Sequence, residues 1–182
     1  MAKVSDINWL YNKYYSDNPE LRRIVTVHSK LVAKKAIEIY HNKKLELDPI
    51  DIYCGALLHD IGVVECNAPD IYAFGQLPYI RHGIAGALIL EQHGLSQYAG
   101  ICLRHTGAGI TVDDIKKNHL DLPEIDMTPQ SLLEKLICYA DKFFSKGENL
   151  TSEKPLESVM NQMKKYGEES YSRFLSYHDL FS

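Results

Sequence analysis

The sequence predicts an all-α domain, and three observations carry that expectation. Apolar residues recur at three- and four-residue spacing along nearly the whole chain. Two helix starts are marked by a capping side chain followed by proline, Asn18-Pro19 and Asp48-Pro49. No run alternates apolar and polar residues between turn signals, as a half-buried strand would.

The elements follow in order. A first short helix is expected from Ser5 to about Tyr15, ended by Asp17-Asn18-Pro19. The long helix after it runs to about Asn42. Ile24, His28 and Leu31 fall at i, i+4 and i+7, and Val32, Ala36 and Ile39 widen that face, so His28 is aimed at the core. In the helix after Asp48-Pro49, Ile52, Ala56, His59 and Asp60 form one inward stripe near the C-terminal end, and Gly62 is expected to let the chain leave. The stretch from Glu65 to Pro78, with Pro69 and Gly75 inside it, reads as irregular and long enough for a lid or pocket wall.

A third core helix is expected from about Tyr79 to His93, with His82, Gly86 and Ile89 on one face and Gly94 at its end. Ser96 is expected to cap a fourth, where Tyr98, Ile101, Cys102 and His105 share a face and Thr106-Gly107-Ala108-Gly109 breaks the helix. Thr111-Val112-Asp113-Asp114 opens a short polar helix to about Asn118, and Leu120 to Pro129 reads as a loop. The fifth core helix, after Thr128-Pro129, places Leu133, Ile137, Ala140, Asp141 and Phe144 on its inner stripe and ends at Lys146-Gly147. The tail from Pro155 to Phe181 is amphipathic and predicts one or two terminal helices, a surface on which a homodimer could form. This divides the chain into an N-terminal helix (1–18), a core domain (19–147) and a C-terminal helical extension packed on it (148–182).

Composition narrows the function classes. Of 182 residues, 45% are hydrophobic and 24% charged, enough apolar material for a sizeable core. The net charge of −4 and the lack of a long Lys/Arg run argue against a nucleic-acid polymer or an anionic membrane as partner. A small anionic substrate needs only a local positive pocket. The four cysteines, Cys54, Cys66, Cys102 and Cys138, contain no C-x-x-C pair and read as buried reduced thiols. The start of the chain has no apolar signal core, and no apolar run approaches the ~20 residues of a membrane span, so a cytoplasmic protein is expected.

The functional signal lies in six polar groups that the periodicity turns inward: His28, His59, Asp60, His82, His105 and Asp141. Left unpaired, each would cost about 1–3 kcal/mol, and the carboxylates more. A folded domain has only about 5–15 kcal/mol of net stability. One dinuclear metal site would compensate all six at once.

In the order H…HD…H…H…D, with His59-Asp60-Ile61-Gly62 as an H-D-I-G signature, the chain resembles the HD-domain superfamily of metal-dependent phosphohydrolases over roughly Ile24 to Lys146. The histidines in Arg81-His82-Gly83 and Arg104-His105-Thr106 place the likeness in the two-metal branch. That branch includes dinucleoside tetraphosphate hydrolases, cyclic-dinucleotide phosphodiesterases and mixed-valent di-iron oxygenases. The resemblance implies that His28, His59, Asp60 and Asp141 hold one metal, and that His82 and His105 hold a second. Asp60 would bridge them and be the catalytic carboxylate. The cofactors implied are two divalent transition-metal ions, Fe first, with Mn, Co, Ni or Zn also suited to an N/O ligand set.

Two departures from the family pattern matter. Thr-Gly-Ala-Gly-Ile follows His105 where cyclic-di-GMP phosphodiesterases have an H-H-E…G-Y-P element. Val63-Val64 follow Gly62 where many HD hydrolases carry a lysine or a further acid, so that helper is missing or comes from elsewhere. The expected activity is hydrolysis of a phosphoester or phosphoanhydride, in a nucleotide or small phosphorylated metabolite, by a hydroxide held between the metals. Arg81, Arg104, Lys142 and Arg23 are candidates to bind the phosphate, and Thr106 and Gly107 to offer backbone N–H groups to it. Tyr72, Phe74 and Tyr79 can stack on a base. His41, His93, His119 and His178 read as solvent-facing. The alternatives are a di-iron oxygenase using the same six ligands, and a non-catalytic sensor.

Overall fold

A computed structural model describes residues 4–147 and 149–182. Met1 to Lys3 and Glu148, which open the N-terminal helix and the C-terminal extension as delimited above, lie outside the described residues. The fold is all-α. Its helices are α1 (Val4–Tyr15), α2 (Pro19–Lys43), α3 (Pro49–Leu58), α4 (His82–Gln92), α5 (Ala99–Arg104), α6 (Val112–Lys117), α7 (Leu132–Asp141), α8 (Leu156–Lys165) and α9 (Glu168–Phe181). Asn18 and Asp48 cap α2 and α3 as their sequence suggests, accepting from the N–H groups of Leu21 at 3.0 Å and Ile50 at 2.8 Å. The Thr111 side chain and Asp114 cap α6 reciprocally.

Several local expectations change. Ser96 lies inside a 3₁₀ turn leading into α5 and caps nothing. Helix α7 starts later than Thr128-Pro129 suggests, because the Ser131 hydroxyl accepts from the Glu134 N–H at 3.1 Å. The stretch from Glu65 to Pro78 contains a small sheet of β1 (Cys66–Ala68), β2 (Ala73–Phe74) and β3 (Leu77–Pro78), in the order β2-β1-β3. β1 is antiparallel to β2 and parallel to β3. Strands of two or three residues are too short to display alternation, so periodicity passes over them.

Helix α2 packs along α3 and α7, α4 lies on α5, and α9 covers α7. The apolar side chains between them form one continuous core running from Ile7 to Phe181. Helix α1 is stitched into it. The buried Tyr11 hydroxyl donates to the Leu57 carbonyl at 2.6 Å, and that of Tyr15 to the Ile61 carbonyl at 3.0 Å. These two bonds hold the backbone on either side of His59-Asp60. All four cysteines are buried and free. The Cys102 thiol donates to the Leu58 carbonyl at 3.3 Å in the same segment.

Gly62 acts differently from the helix exit its sequence suggests. It belongs to a 3₁₀ turn (Ile61–Glu65) pressed against the start of α4. A Cβ there would stand 2.1 Å from the His82 carbonyl oxygen and 2.2 Å from the Gly86 nitrogen. The missing side chain is what lets the HD segment and the His82 helix meet. Gly62→Ala is expected to destabilise the protein by about 3 kcal/mol or more, since rigid backbone must move. At roughly 2–4 °C per kcal/mol for a chain of this size, the thermal midpoint should fall by at least about 6 °C. A midpoint within 1–2 °C of wild type, roughly the shift of half a kcal/mol, would refute the close approach.

Candidate metal centre

The six polar groups singled out in the sequence converge, five of them at or just past helix ends. His28 projects from the middle of α2, and Asp141 is the last residue of α7. His82 is the first residue of α4, while His59-Asp60 and His105 directly follow α3 and α5. All six are at most 8% exposed. They form two groups able to hold a metal ion, His28/His59/Asp60/Asp141 and Asp60/His82/His105.

Asp60 belongs to both, and its two oxygens divide the work. Oδ2 lies 2.9 Å from His59 Nε2 and 3.2 Å from His28 Nε2. His28 Nε2 is also 2.9 Å from Asp141 Oδ1. Oδ1 faces the other group, 3.4 Å from His105 Nε2 and 3.7 Å from His82 Nε2. Ligands about 2.1 Å from a cation stand roughly 3.0–3.4 Å from one another in octahedral or tetrahedral arrangements, so these separations fit metal coordination.

Hydrogen bonding fixes the tautomers. His59 Nδ1 lies 2.6 Å from the Ala56 carbonyl, His82 Nδ1 2.7 Å from that of Tyr79, and His105 Nδ1 2.8 Å from that of Cys102. A carbonyl only accepts, so each Nδ1 carries hydrogen and each Nε2 of a neutral ring presents a lone pair. His82 and His105 are both held neutral. Burial and the neighbouring His105 push the His82 pKa down to about 3, and burial lowers that of His105. Their two Nε2 lone pairs nevertheless face each other at 3.0 Å. With no proton between them the contact is repulsive, and a shared cation is the partner that makes it favourable. Among the described residues neither Asp60 oxygen has a well-directed hydrogen bond, and His28 Nδ1 has none. The donor set therefore fits a metal.

The His59 ring behaves oppositely. Burial lowers its proton affinity, but Asp60 and Asp141 outweigh burial and raise its pKa to about 9. A raised pKa gives stability to the metal-free protein that is fully present below the ordinary histidine value near 6.5 and lost as pH climbs through about 9. A metal takes the neutral ring, so its affinity should rise over that same window and its binding at pH 7 should release a proton. Titrating Mn²⁺ calorimetrically in two buffers of different ionisation enthalpy measures this release. Identical apparent enthalpies in both buffers would contradict it.

Two lysines face the carboxylates. Lys142 Nζ lies 2.6 Å from Asp141 Oδ2 and donates to the His105 carbonyl at 2.8 Å. Lys146 Nζ lies 2.6 Å from Asp60 Oδ2. Although burial alone would raise them, both carboxyl groups are held well below the usual range, Asp141 chiefly by Lys142 and Asp60 chiefly by His59 and Lys146. The sequence reads Lys146 as the end of the fifth helix, but α7 stops at Asp141, and the irregular turn that follows, not helical spacing, brings Lys146 to Asp60. The departure at Val63-Val64 was the available signal, since a missing cation near Asp60 invites a search for one elsewhere.

Of the proposed phosphate contacts, Lys142 stands in the cluster, and Thr106 and Gly107 line a cavity shared with His82. The three arginines have acidic partners of their own. Arg104 pairs with Glu134 at 2.9 Å, Arg23 with Glu20 at 3.4 Å on the surface, and Arg81 with Asp121. Tyr79 stacks on the His82 ring, centroids 4.8 Å apart, while Tyr72 and Phe74 are exposed. His41 and His119 are exposed, but His93 and His178 are half-buried and meet the hydroxyls of Tyr14 and Tyr139, each at 2.9 Å. Among the described residues no helix is long and apolar enough to cross a membrane.

Comparison with known proteins agrees with this geometry. The chain is 34% identical over 131 residues to the tRNA (cytidine(56)-2′-O)-methyltransferase of Picrophilus torridus, a match covering 71% of this chain and 33% of that protein. It is 31% identical over 157 residues to the protein of the same name from Thermoplasma volcanium, covering 85% of this chain and 41% of that one. An uncharacterized protein of Methanocaldococcus jannaschii is 36% identical over 121 residues, 64% of either chain. This chain thus spans a third to two-fifths of the two named relatives. No solved structure matches it. The HD domain family matches residues 25–145, a span that begins three residues before His28 and ends four after Asp141 and so contains all six converging side chains. The chain belongs to the HD domain family.

Proposed function

We propose that the protein is a metal-dependent phosphohydrolase acting on a small phosphorylated substrate of nucleotide type. The observation that carries this reading is the pair of N/O groups joined through the two oxygens of Asp60, with ring tautomers already set for metal. His28, His59, Asp60 and Asp141 would hold one ion, and His82 and His105, with Asp60, the other. Divalent ions there would supply an activated water and neutralise charge on a phosphoryl group. The protein's own contribution is positional. Asp60 and Asp141 fix the imidazoles, carbonyls of α3 and α5 fix their tautomers, and Lys142 and Lys146 bring two largely buried positive charges beside the carboxylates.

The test is metal quantification on anaerobically purified protein, followed by a screen of nucleotides, dinucleoside polyphosphates and simple phosphoesters with Fe or Mn restored. Two metals per chain and turnover of a phosphate compound are expected. A mixed-valent iron signal with oxygen-dependent turnover would replace the hydrolase by an oxygenase. His82→Ala is expected to lower metal content from two per chain to about one, because it removes a ligand of only one group. Retention of two would overturn the assignment.

A further inference from the structure

One wall of the cavity beside His82, made by Lys165, Tyr166, Ser170 and Arg173, comes from outside the HD span, and it has a chemistry of its own. It measures about 540 Å³ and runs from His82 and Thr106-Gly107 to the corner between α8 and α9. That volume lies within the ~300–1,000 Å³ typical of sites for nucleotide-sized ligands. One side is apolar. Ile80, Ile110 and Leu120 belong to a small cluster around Ile115 and Met127 that is separate from the main core. Tyr166, at the corner after α8, also lines the cavity, 53% exposed and with its hydroxyl hydrogen-bonded to Gln162 at 2.9 Å.

The C-terminal helices are locked onto the turn that follows His105. The Arg173 guanidinium donates to the carbonyls of Ala108 at 3.3 Å and Gly109 at 3.0 Å and pairs with Asp114 at 2.8 Å. The Tyr177 hydroxyl donates to the same Ala108 carbonyl at 3.4 Å. This pairing also decides what the cavity can accept. Arg173 and Asp114, its paired charges, are spent on each other and on the backbone, leaving Asn118, Lys165 and the hydroxyls of Thr106 and Ser170 scattered in a lining that also holds Ile80, Ile110, Leu120 and Tyr166. A polyol would bury several hydroxyls without partners there, at a cost for each. A flat aromatic ring with a few edge nitrogens or oxygens has fewer polar groups to satisfy and more apolar face to bury.

We infer that this cavity is the base-binding subsite, and that α8 and α9 make the protein selective for nucleoside phosphates over sugar phosphates, the base lying between Tyr166 and the Ile80/Ile110/Leu120 wall. The inference rests on the phosphohydrolase reading only for where the phosphate lies, at the His82 end.

The experiment is calorimetric binding of AMP, adenosine and ribose 5-phosphate to the full Mn²⁺-treated chain and to Tyr166→Ala and Tyr166→Phe. AMP is expected to bind at least about fivefold more tightly than ribose 5-phosphate, the lower end of what stacking on an aromatic side chain contributes. Tyr166→Ala should remove most of that preference and weaken adenosine as well, and Tyr166→Phe should keep both. Because Tyr166 is half exposed, the alanine variant should melt like wild type, which separates lost stacking from lost fold. Equal affinity for AMP and ribose 5-phosphate, or a preference that survives Tyr166→Ala, overturns the inference. Adenosine separates the two readings. If it binds through Tyr166 while no phosphate compound is hydrolysed, the subsite stands and the hydrolase reading falls. If phosphoesters are hydrolysed and adenosine does not bind, the reverse holds.

Discussion

Asp60→Asn should leave a folded protein with metal at background level and turnover reduced by at least about a thousandfold. Asn matches the carboxylate in shape but offers one neutral oxygen where the two groups each need an anionic one. Divalent ions contribute several kcal/mol of charge stabilisation in such sites, and each 1.36 kcal/mol is a factor of ten. Asn is preferred to Ala because Asp60 also faces Lys146 at 2.6 Å in the buried site. Removing the whole carboxyl would strand that ammonium without even an amide oxygen to receive it, and breaking a buried pair costs about 3–5 kcal/mol. Metal content by mass spectrometry, circular dichroism and phosphoester turnover on one preparation decide the matter. A variant that keeps two metals, or keeps its activity, would sink the bridging role. Loss of activity with both metals retained would point instead to a purely electrostatic role for Asp60.

What could be read from the sequence divides along physical lines. His28 and Asp141 were legible because each interrupts an apolar stripe whose period is set by the helix, and a polar group on a buried stripe needs a reason. His59 and Asp60 were legible for the same reason, although both stand just past α3 rather than on it. The stripe still points the right way because the chain keeps near-helical dihedrals through His59, with φ −55° and ψ −30°. Side chains positioned by long-range contact gave no such signal. Tyr11 and Tyr15 bond to carbonyls 46 residues away, so their spacing reveals only that they face the core. Arg173 reaches back to Gly109 across 64 residues, and its role appears only once α9 is laid over α7. Gly62 was noticed but misread. A glycine that ends a helix and one that admits a neighbouring backbone look alike in sequence, and only the 2.1 Å separation from the His82 carbonyl oxygen tells them apart. The arginines beside His82 and His105 were drawn in by proximity along the chain, yet side chains of adjacent residues point apart, and both found acids of their own.

Lys146→Met should separate the lysine's structural task from its chemical one. In the metal-free protein its ammonium compensates Asp60, which is buried completely. Met keeps the length and apolar stem of lysine but not the charge. Losing one partner of a buried pair costs about 3–5 kcal/mol, or a fall in thermal midpoint of roughly 6–20 °C at 2–4 °C per kcal/mol. A metal held by Asp60 supplies positive charge in its place. Added Mn²⁺ should therefore raise the midpoint of the variant by more than it raises that of wild type, closing much of the gap. If Lys146 served the fold alone, the metal-loaded variant would then be as active as wild type. We expect about a hundredfold loss of turnover instead, the usual effect of removing one preorganised donor from a water-poor site where negative charge develops. Lys146→Arg, which keeps the charge, should recover part of that turnover and most of the metal-free stability. Equal metal-induced shifts in wild type and Lys146→Met would show that lysine and metal do not answer the same carboxylate. Full activity in the metal-loaded Met variant would confine Lys146 to stabilising the metal-free state.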